Sequence, residues 1–337
     1  MQIVKNQKFE IDPNDIKDIL VKRYSGLMSG FYEMQSSFLS TRYKIHTNLE
    51  SSNIIICFIK DVHLSIIRQR EQNLDHDISI NNFLINLKKI QIPTQKIVSI
   101  VNTTGIPKET VRRKINNLKK NGFIFSSENK EFYWDLTPKR NEMFFRIMKN
   151  DIKMISKFVF NLTKYLNINL NEKNIQNEIE SQFSFYFYHF LSCQLNWFKM
   201  WQNNIKDIDL LLITLQALIP TLQHDDKRLL MQNLNMDNLY TILGKTSEKN
   251  NFTGISISAS SVSEVTGIPR ATCIRKLEKL QKLGVLDREN QSKRYFINQK
   301  TTDRTRNVLT KNNVLLTINV FSQYFSIILN ALIRNKM

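Results

Sequence analysis

The chain has 337 residues, 42% of them hydrophobic, which is enough for about two ordinary domains with real cores and excludes a disordered tail. Its formal charge is +18, from 48 basic and 30 acidic residues, and it holds 8 glycines and 6 prolines, a composition that favours long helices. Lys, Asn and Ile also follow AT-rich codon usage, so the charge carries meaning only through its location. Cys57, Cys193 and Cys273 stand far apart, with no CxxC pair and no His at ligand spacing; this argues against a disulfide framework or a zinc site and leaves free thiols. GxxxxGK[ST], GxSxG and HExxH are all absent, as is an acidic cluster suited to metal-assisted chemistry. The chain therefore reads as a non-enzyme that needs no cofactor or metal.

Along the chain, the opening MQIVKNQKFEIDPND lacks an apolar run after a basic start, so no secretory signal and a cytoplasmic location are expected. Over residues 95–102, Ile97, Ile100 and Val101 fall at helical spacing, and Gly105 then permits the positive φ at which one helix ends and another begins. Pro107 suits the start of the next helix, because its missing N–H would be unpaired there and its φ is already helical. That helix is expected to reach about Asn121 and stop at Gly122. Val111, Ile115 and Leu118 form its buried stripe, leaving Lys108, Thr110, Arg112, Arg113, Lys114 and Asn116 to face elsewhere. Aromatic runs at 123–125 and 132–134 flank the polar residues 126–130, the pattern of a β-hairpin with Lys130 in its turn. A helix follows over 150–166, and the polar stretch 167–171 marks a boundary.

Residues 172–202 hold Phe183, Phe185, Tyr186, Phe187, Tyr188, Phe190, Trp197, Phe198 and Trp201, which implies a helix buried from several directions. Core packing between two halves is the plain reading and a pocket for a small apolar effector the sharper one; His189 reads as a core histidine. The chain then repeats itself. TGIPKETVRRKINNLKKNGFI from Thr104 aligns without gaps to TGIPRATCIRKLEKLQKLGVL from Thr266, at an offset of 162, and Tyr133 and Trp134 fall on Tyr295 and Phe296. Upstream, IKDVHLSII from Ile59 resembles IKDIDLLLI from Ile205 at an offset of 146, which implies about 16 extra residues in the second copy, near 224–254. The second copy carries Val262 and Val265 on its first helix, Gly267 at the turn, Pro269 at the next start, and Cys273, Leu277 and Leu280 on the stripe. Its hairpin turn runs through 288–293. The uncharged stretch 312–333 is long enough to span a bilayer. However, Asn319, Ser322, Gln323, Ser326 and Asn330 share one helical face, which suits a packed helix better than a lipid-exposed one.

Helix, glycine turn, basic helix with Thr and Arg near its start, Leu-x-x-x-Gly and hairpin together resemble the winged helix-turn-helix of bacterial transcriptional regulators. The likeness covers about 45 residues in each half, and the placement of flanking helices is similar to the MarR-type layout. It implies a mainly α fold with small β-wings: two tandem winged helix-turn-helix units embedded in helical scaffolds by internal duplication. The halves are 1–168, with its winged helix at about 77–140, and 169–337, with its winged helix at about 225–302. The resemblance further implies double-stranded DNA as partner. Lys108, Thr110 and Arg113, matched by Arg270, Thr272 and Arg275, would lie nearest the bases, and Lys114 and Lys276 nearer the backbone. Arg112 and the wing residues Lys130, Lys293 and Arg294 complete the candidate surface.

The charge lies where this demands. Residues 96–140 carry ten basic against four acidic side chains and 257–306 eleven against five, so two windows hold two thirds of the net charge. Arg112 is replaced by Ile274 and Glu109 by Ala271, so the half-sites read should differ. The helices at 150–166 and 308–333 would pair within one chain and make the monomer a pseudo-dimer, though a homodimer stays open. The function expected is therefore sequence-specific transcriptional regulation. A plasmid- or phage-type replication initiator with two winged helices is the alternative, and a protein-interaction module a third reading.

Overall fold

The computed structural model describes residues 10–228, 236, 256–297 and 311–334. It is mostly helical with two short antiparallel hairpins. The 16 extra residues expected near 224–254 fall largely outside the described residues, as does part of the 225–302 unit.

Local chemistry sets the first helices. The Asp12 carboxylate caps α1 (Pro13–Lys22) by accepting from Asn14 N, Pro13 supplies a helical φ at its start, and Ile16 and Leu20 are buried. α2 (Tyr24–His46) ends at Thr47 in the left-handed region (φ 60°), and Asn48 then caps α3 (Leu49–Gln72) by accepting from Ser51 N at 2.8 Å. A short α4 (Phe83–Lys89) leads to α5 (Ile97–Thr104), α6 (Lys108–Lys120), β1 (Phe125–Ser126), β2 (Phe132–Tyr133) and α7 (Asn141–Thr163).

The same order then returns. α8 (Glu172–Ser181) is capped by Asn171, with Ile175 and Ile179 buried, and α9 (Phe183–Ile205) ends at Lys206 with φ 57° before α10 (Ile208–Arg228). α11 (Ala259–Thr266), α12 (Arg270–Lys282), β3 (Leu286–Arg288), β4 (Tyr295–Ile297) and α13 (Lys311–Arg334) complete the chain. α1, α2 and α3 begin 159 residues before α8, α9 and α10, while α5 and α6 begin 162 before α11 and α12. The upstream offset of 146 is therefore not the structural one: Ile59 lies mid-way along α3, whereas Ile205 is the last residue of α9. Helix starts instead leave the second half three residues longer between these points.

The two halves do not sit side by side. α2 packs on α10, α3 on α9, α1 on α13 and α7 on α8, so each scaffold helix finds its main partner in the other half. Gln35 of α2 and Gln194 of α9, 159 residues apart and fully buried, meet directly as Gln194 Nε2 donates to Gln35 Oε1 at 2.9 Å. Around them Phe38 meets Phe190 edge-on at 5.2 Å and Phe31 meets Phe321 at 4.9 Å. The single helix expected over 172–202 is two, α8 and α9, broken at Gln182 (φ −107°, ψ 36°), and the aromatic α9 is buried as expected, since α3, α5, α10 and α13 all lie against it. His189 is half-buried against Phe185 and Tyr188, and burial lowers its pKa. All three cysteines are free; Cys57 and Cys273 are buried and Cys193 is half-buried.

The helices expected to pair, α7 and α13, touch through Phe158 and Phe325 (4.7 Å) but pack chiefly on α8 and α1. Among the described residues α13 is the one helix long and apolar enough to cross a membrane, and much of its apolar surface is buried inside the fold. Its polar face divides. Asn319 and Gln323 are exposed, whereas Ser326 Oγ and Asn330 Nδ2 donate to Ile11 O, and Asn330 Oδ1 accepts from Ile11 N.

Candidate nucleic-acid interface

In both halves a tight turn joins two helices for the same reasons. Thr104 Oγ1 donates back to Ile100 O and accepts from Ile106 N; Thr266 Oγ1 does the same with Val262 O and Ile268 N. Gly105 (φ 70°) and Gly267 (φ 76°) take the left-handed conformation that ends α5 and α11. Ile106 and Ile268, fully buried, pin the turn, and Pro107 and Pro269 precede α6 and α12. The expected stripes are buried: Val111, Ile115 and Leu118 on α6, and Cys273, Leu277 and Leu280 on α12.

Each turn also rests on the other half. Lys199 of α9 donates to Asn102 O at the end of α5, and α11 lies against α2. A Cβ on Gly267 would stand 2.6 Å from Lys44 Cγ, but one on Gly105 would meet Lys199 Cγ at 3.3 Å. Gly267→Ala should therefore cost more stability than Gly105→Ala. Both pay for a positive φ, at about 1–2 kcal/mol, and only Gly267 also displaces a lysine stem. Urea unfolding of the two variants measures the order; the reverse order would contradict this packing.

Each hairpin gains a third edge. Gln95 pairs with Phe132 and Ile257 with Tyr295 through two backbone hydrogen bonds apiece, so α5 begins at Ile97, the first residue of its apolar spacing, and not at Gln95 where the expected 95–102 segment starts. Lys130 (φ 59°) and Lys293 (φ 55°) occupy the hairpin turns in the left-handed conformation and are exposed, as is Arg294. On the helices Lys108, Arg112, Arg113, Arg270 and Arg275 are exposed, and Thr110 and Thr272 are half-buried at the first turns. Arg112 is paired along its own helix with Glu109 (2.8 Å), whose carboxyl this hydrogen bond holds below its usual range. In α12 Arg270 Nε donates to Ser260 and Arg275 to Thr272.

Two of the candidates sit elsewhere. Lys114 turns inward to Asn48 Oδ1 (2.8 Å) and Glu50 Oε2 (3.2 Å), and Lys276 to Asp207 Oδ1 (2.8 Å) and Asp209 Oδ2 (3.2 Å). Their side chains are 15% and 16% exposed, so both are engaged with the starts of α3 and α10, not with the open face. Sequence reasoning missed the acceptors, although an acid or amide at each helix start, with a second acid two residues on, was the available signal. Arg140 was missed as well: it stacks on Phe123 at 3.7 Å and donates to the carbonyls of Asn121 and Gly122, capping the C-terminus of α6.

A cleft of about 70 Å³ lies between α2, α3, the first hairpin and α7, with Ile55, Ile59, Trp134, Met143 and Phe144 among its walls. Among the described residues no group of His, Cys, Asp and Glu is arranged to hold a metal ion. Comparison of the chain with protein-family models, with curated proteins and with solved structures gives no match.

Proposed function

We propose that the protein is a sequence-specific double-stranded DNA-binding transcriptional regulator in which two winged helix-turn-helix units, produced by duplication, act as a single-chain pseudo-dimer. One observation carries the reading: α6 and α12 follow the same Gly–Ile–Pro turn, present Lys108 and Arg113 or Arg270 and Arg275 to solvent, and stand beside a hairpin tipped by an exposed lysine. A helix of this kind fits the major groove, with side chains near its start reaching base edges and wing cations meeting phosphate. The exchange of partners between the halves, α2 with α10 and α3 with α9, supports the pseudo-dimer. Arg112 and Glu109 in one unit against Ile274 and Ala271 in the other support two non-identical half-sites. A small apolar effector would enter the cleft beside Trp134 and Phe144, and the cytoplasm is the compartment this role requires.

The test is binding of the full chain to a random duplex pool, followed by titration of the selected site at several salt concentrations. Arg113→Ala with Arg275→Ala is expected to weaken binding roughly a hundredfold or more and to relax base preference in both half-sites, and Lys130→Ala with Lys293→Ala at the wings to lower the salt slope by about two. An unchanged affinity and slope would refute DNA binding through these helices. A genome-wide map of bound sites then separates promoters from repeated origin sequences.

A further inference from the structure

We infer that a largely buried polar bridge couples the two DNA-reading helices, so that the chain reads its two half-sites as one unit at a set spacing. The inference rests on the reading above and names how the two sites are regulated together.

The bridge can be followed atom by atom. Lys114 Nζ, one residue after the exposed Arg113 of α6, lies 2.8 Å from Asn48 Oδ1 and 3.2 Å from Glu50 Oε2. Asn48 is the cap of α3, and the next residue, Leu49, donates its backbone N–H across to Asp209 Oδ1 at 3.0 Å. The other oxygen of Asp209 lies 3.2 Å from Lys276 Nζ, one residue after the exposed Arg275 of α12. Lys276 also reaches both oxygens of Asp207, at 2.8 and 3.0 Å. Contacts thus run unbroken from one basic helix to the other through the starts of α3 and α10, and Asp209 is the group that both halves share.

Three features make this more than two separate clamps. The lysine heads are little exposed, so the pairs are weakly screened and depend steeply on geometry. Each lysine is covalently next to an arginine on the open face, so a tilt of the helix that brings Arg113 or Arg275 onto DNA must move the neighbouring ammonium. Finally, the link between halves is a backbone N–H at a helix start, which cannot swing aside as a side chain can. A shift of α6 is therefore passed to α3 and Asp209, and from there to Lys276 and α12.

The experiment measures affinity for the selected site, for each site with one half scrambled, and for a site with both scrambled. In the wild type the penalty for losing one half-site should depend on the other, by about tenfold. The triple variant Lys276→Met, Asp207→Asn, Asp209→Asn, which removes the buried charges together and leaves only the half-exposed Lys279 without its partner Asp207, should bring the two penalties to within about twofold of additive. It should also tolerate spacers lengthened by one or two base pairs. Lys276→Arg, which keeps the charge, should retain the coupling. Lys114→Met with Glu50→Gln tests the opposite end and serves where the triple variant loses its cooperative melt. Additive penalties in the wild type, or coupling intact in the folded variants, would overturn the bridge while leaving DNA binding standing. A wild-type chain that selects no duplex would instead overturn the functional reading itself.

Discussion

Arg42→Met is expected to destabilise the protein by about 3–5 kcal/mol in urea unfolding followed by circular dichroism. Arg42 of α2 holds Asp151 of α7 with two parallel hydrogen bonds, at 3.0 and 2.5 Å, and both side chains are almost fully buried. The guanidinium itself lies over the Phe38 ring, 3.5 Å from its centroid, and donates to Phe38 O. Burial raises the Asp151 pKa, and Arg42 pulls it back only in part, so removing the arginine leaves a carboxylate with nothing to offset its desolvation. The double replacement Arg42→Met with Asp151→Asn should recover much of the loss, because no charge is then stranded. A single variant within about 1 kcal/mol of wild type would show that the pair is not a structural necessity. Trp201 stands 159 residues after Arg42, at the matching place on α9, so this ion pair belongs to the first half alone.

Acid should weaken the fold before its ordinary carboxylates titrate. His63 is fully buried among Phe83, Phe183 and Phe187, and neither ring nitrogen has a hydrogen-bond partner. Burial lowers its pKa to about 3; His46 is lowered to about 3 as well, by burial first and then by Arg42 and Arg140. In the unfolded chain each imidazole takes up a proton near pH 6.5, so between pH 6.5 and 3 the unfolded state binds more protons than the folded one. Stability is therefore full above pH 6.5 and falls as the pH drops through that window. The loss at pH 5 is about 2 kcal/mol for each histidine and about 4 kcal/mol for the two. Urea midpoints at pH 7.5 and 5.0 measure it, and His63→Leu should abolish roughly half of the difference. Equal midpoints at the two pH values would mean that these imidazoles are protonated in the folded protein.

The reading of 104–124 and 266–286 from sequence succeeded because every signal there is local. Gly105 and Gly267 mark a backbone conformation that other residues resist, Pro107 and Pro269 mark a helix start, and the stripes at 111, 115, 118 and 273, 277, 280 follow the helical period. The upstream register failed for the complementary reason. Apolar residues on a helix recur every three or four positions, so a nine-residue match between such faces can arise at several offsets. The true register at 159 is carried by features with little sequence identity: the caps Asp12 and Asn171, the left-handed Thr47 and Lys206, and the helix starts that follow them.

Lys114 and Lys276 show the same division within the candidate site. Position on an amphipathic helix places a lysine beside the arginine that faces solvent, but whether it too is open depends on what lies across from it. The partners of Lys114 are 66 and 64 residues away in the chain and those of Lys276 69 and 67, on helices whose approach no local pattern encodes. The amino-acid sequence alone thus determined α5, α6, α11 and α12, the two glycine turns, the hairpins and the basic faces, all of them products of backbone preference and short-range periodicity. Only the tertiary structure decided that the halves exchange partners, that α13 packs on α1, and that two of the twelve candidate residues point inward. Those outcomes depend on shape and desolvation between surfaces more than sixty residues apart in the chain.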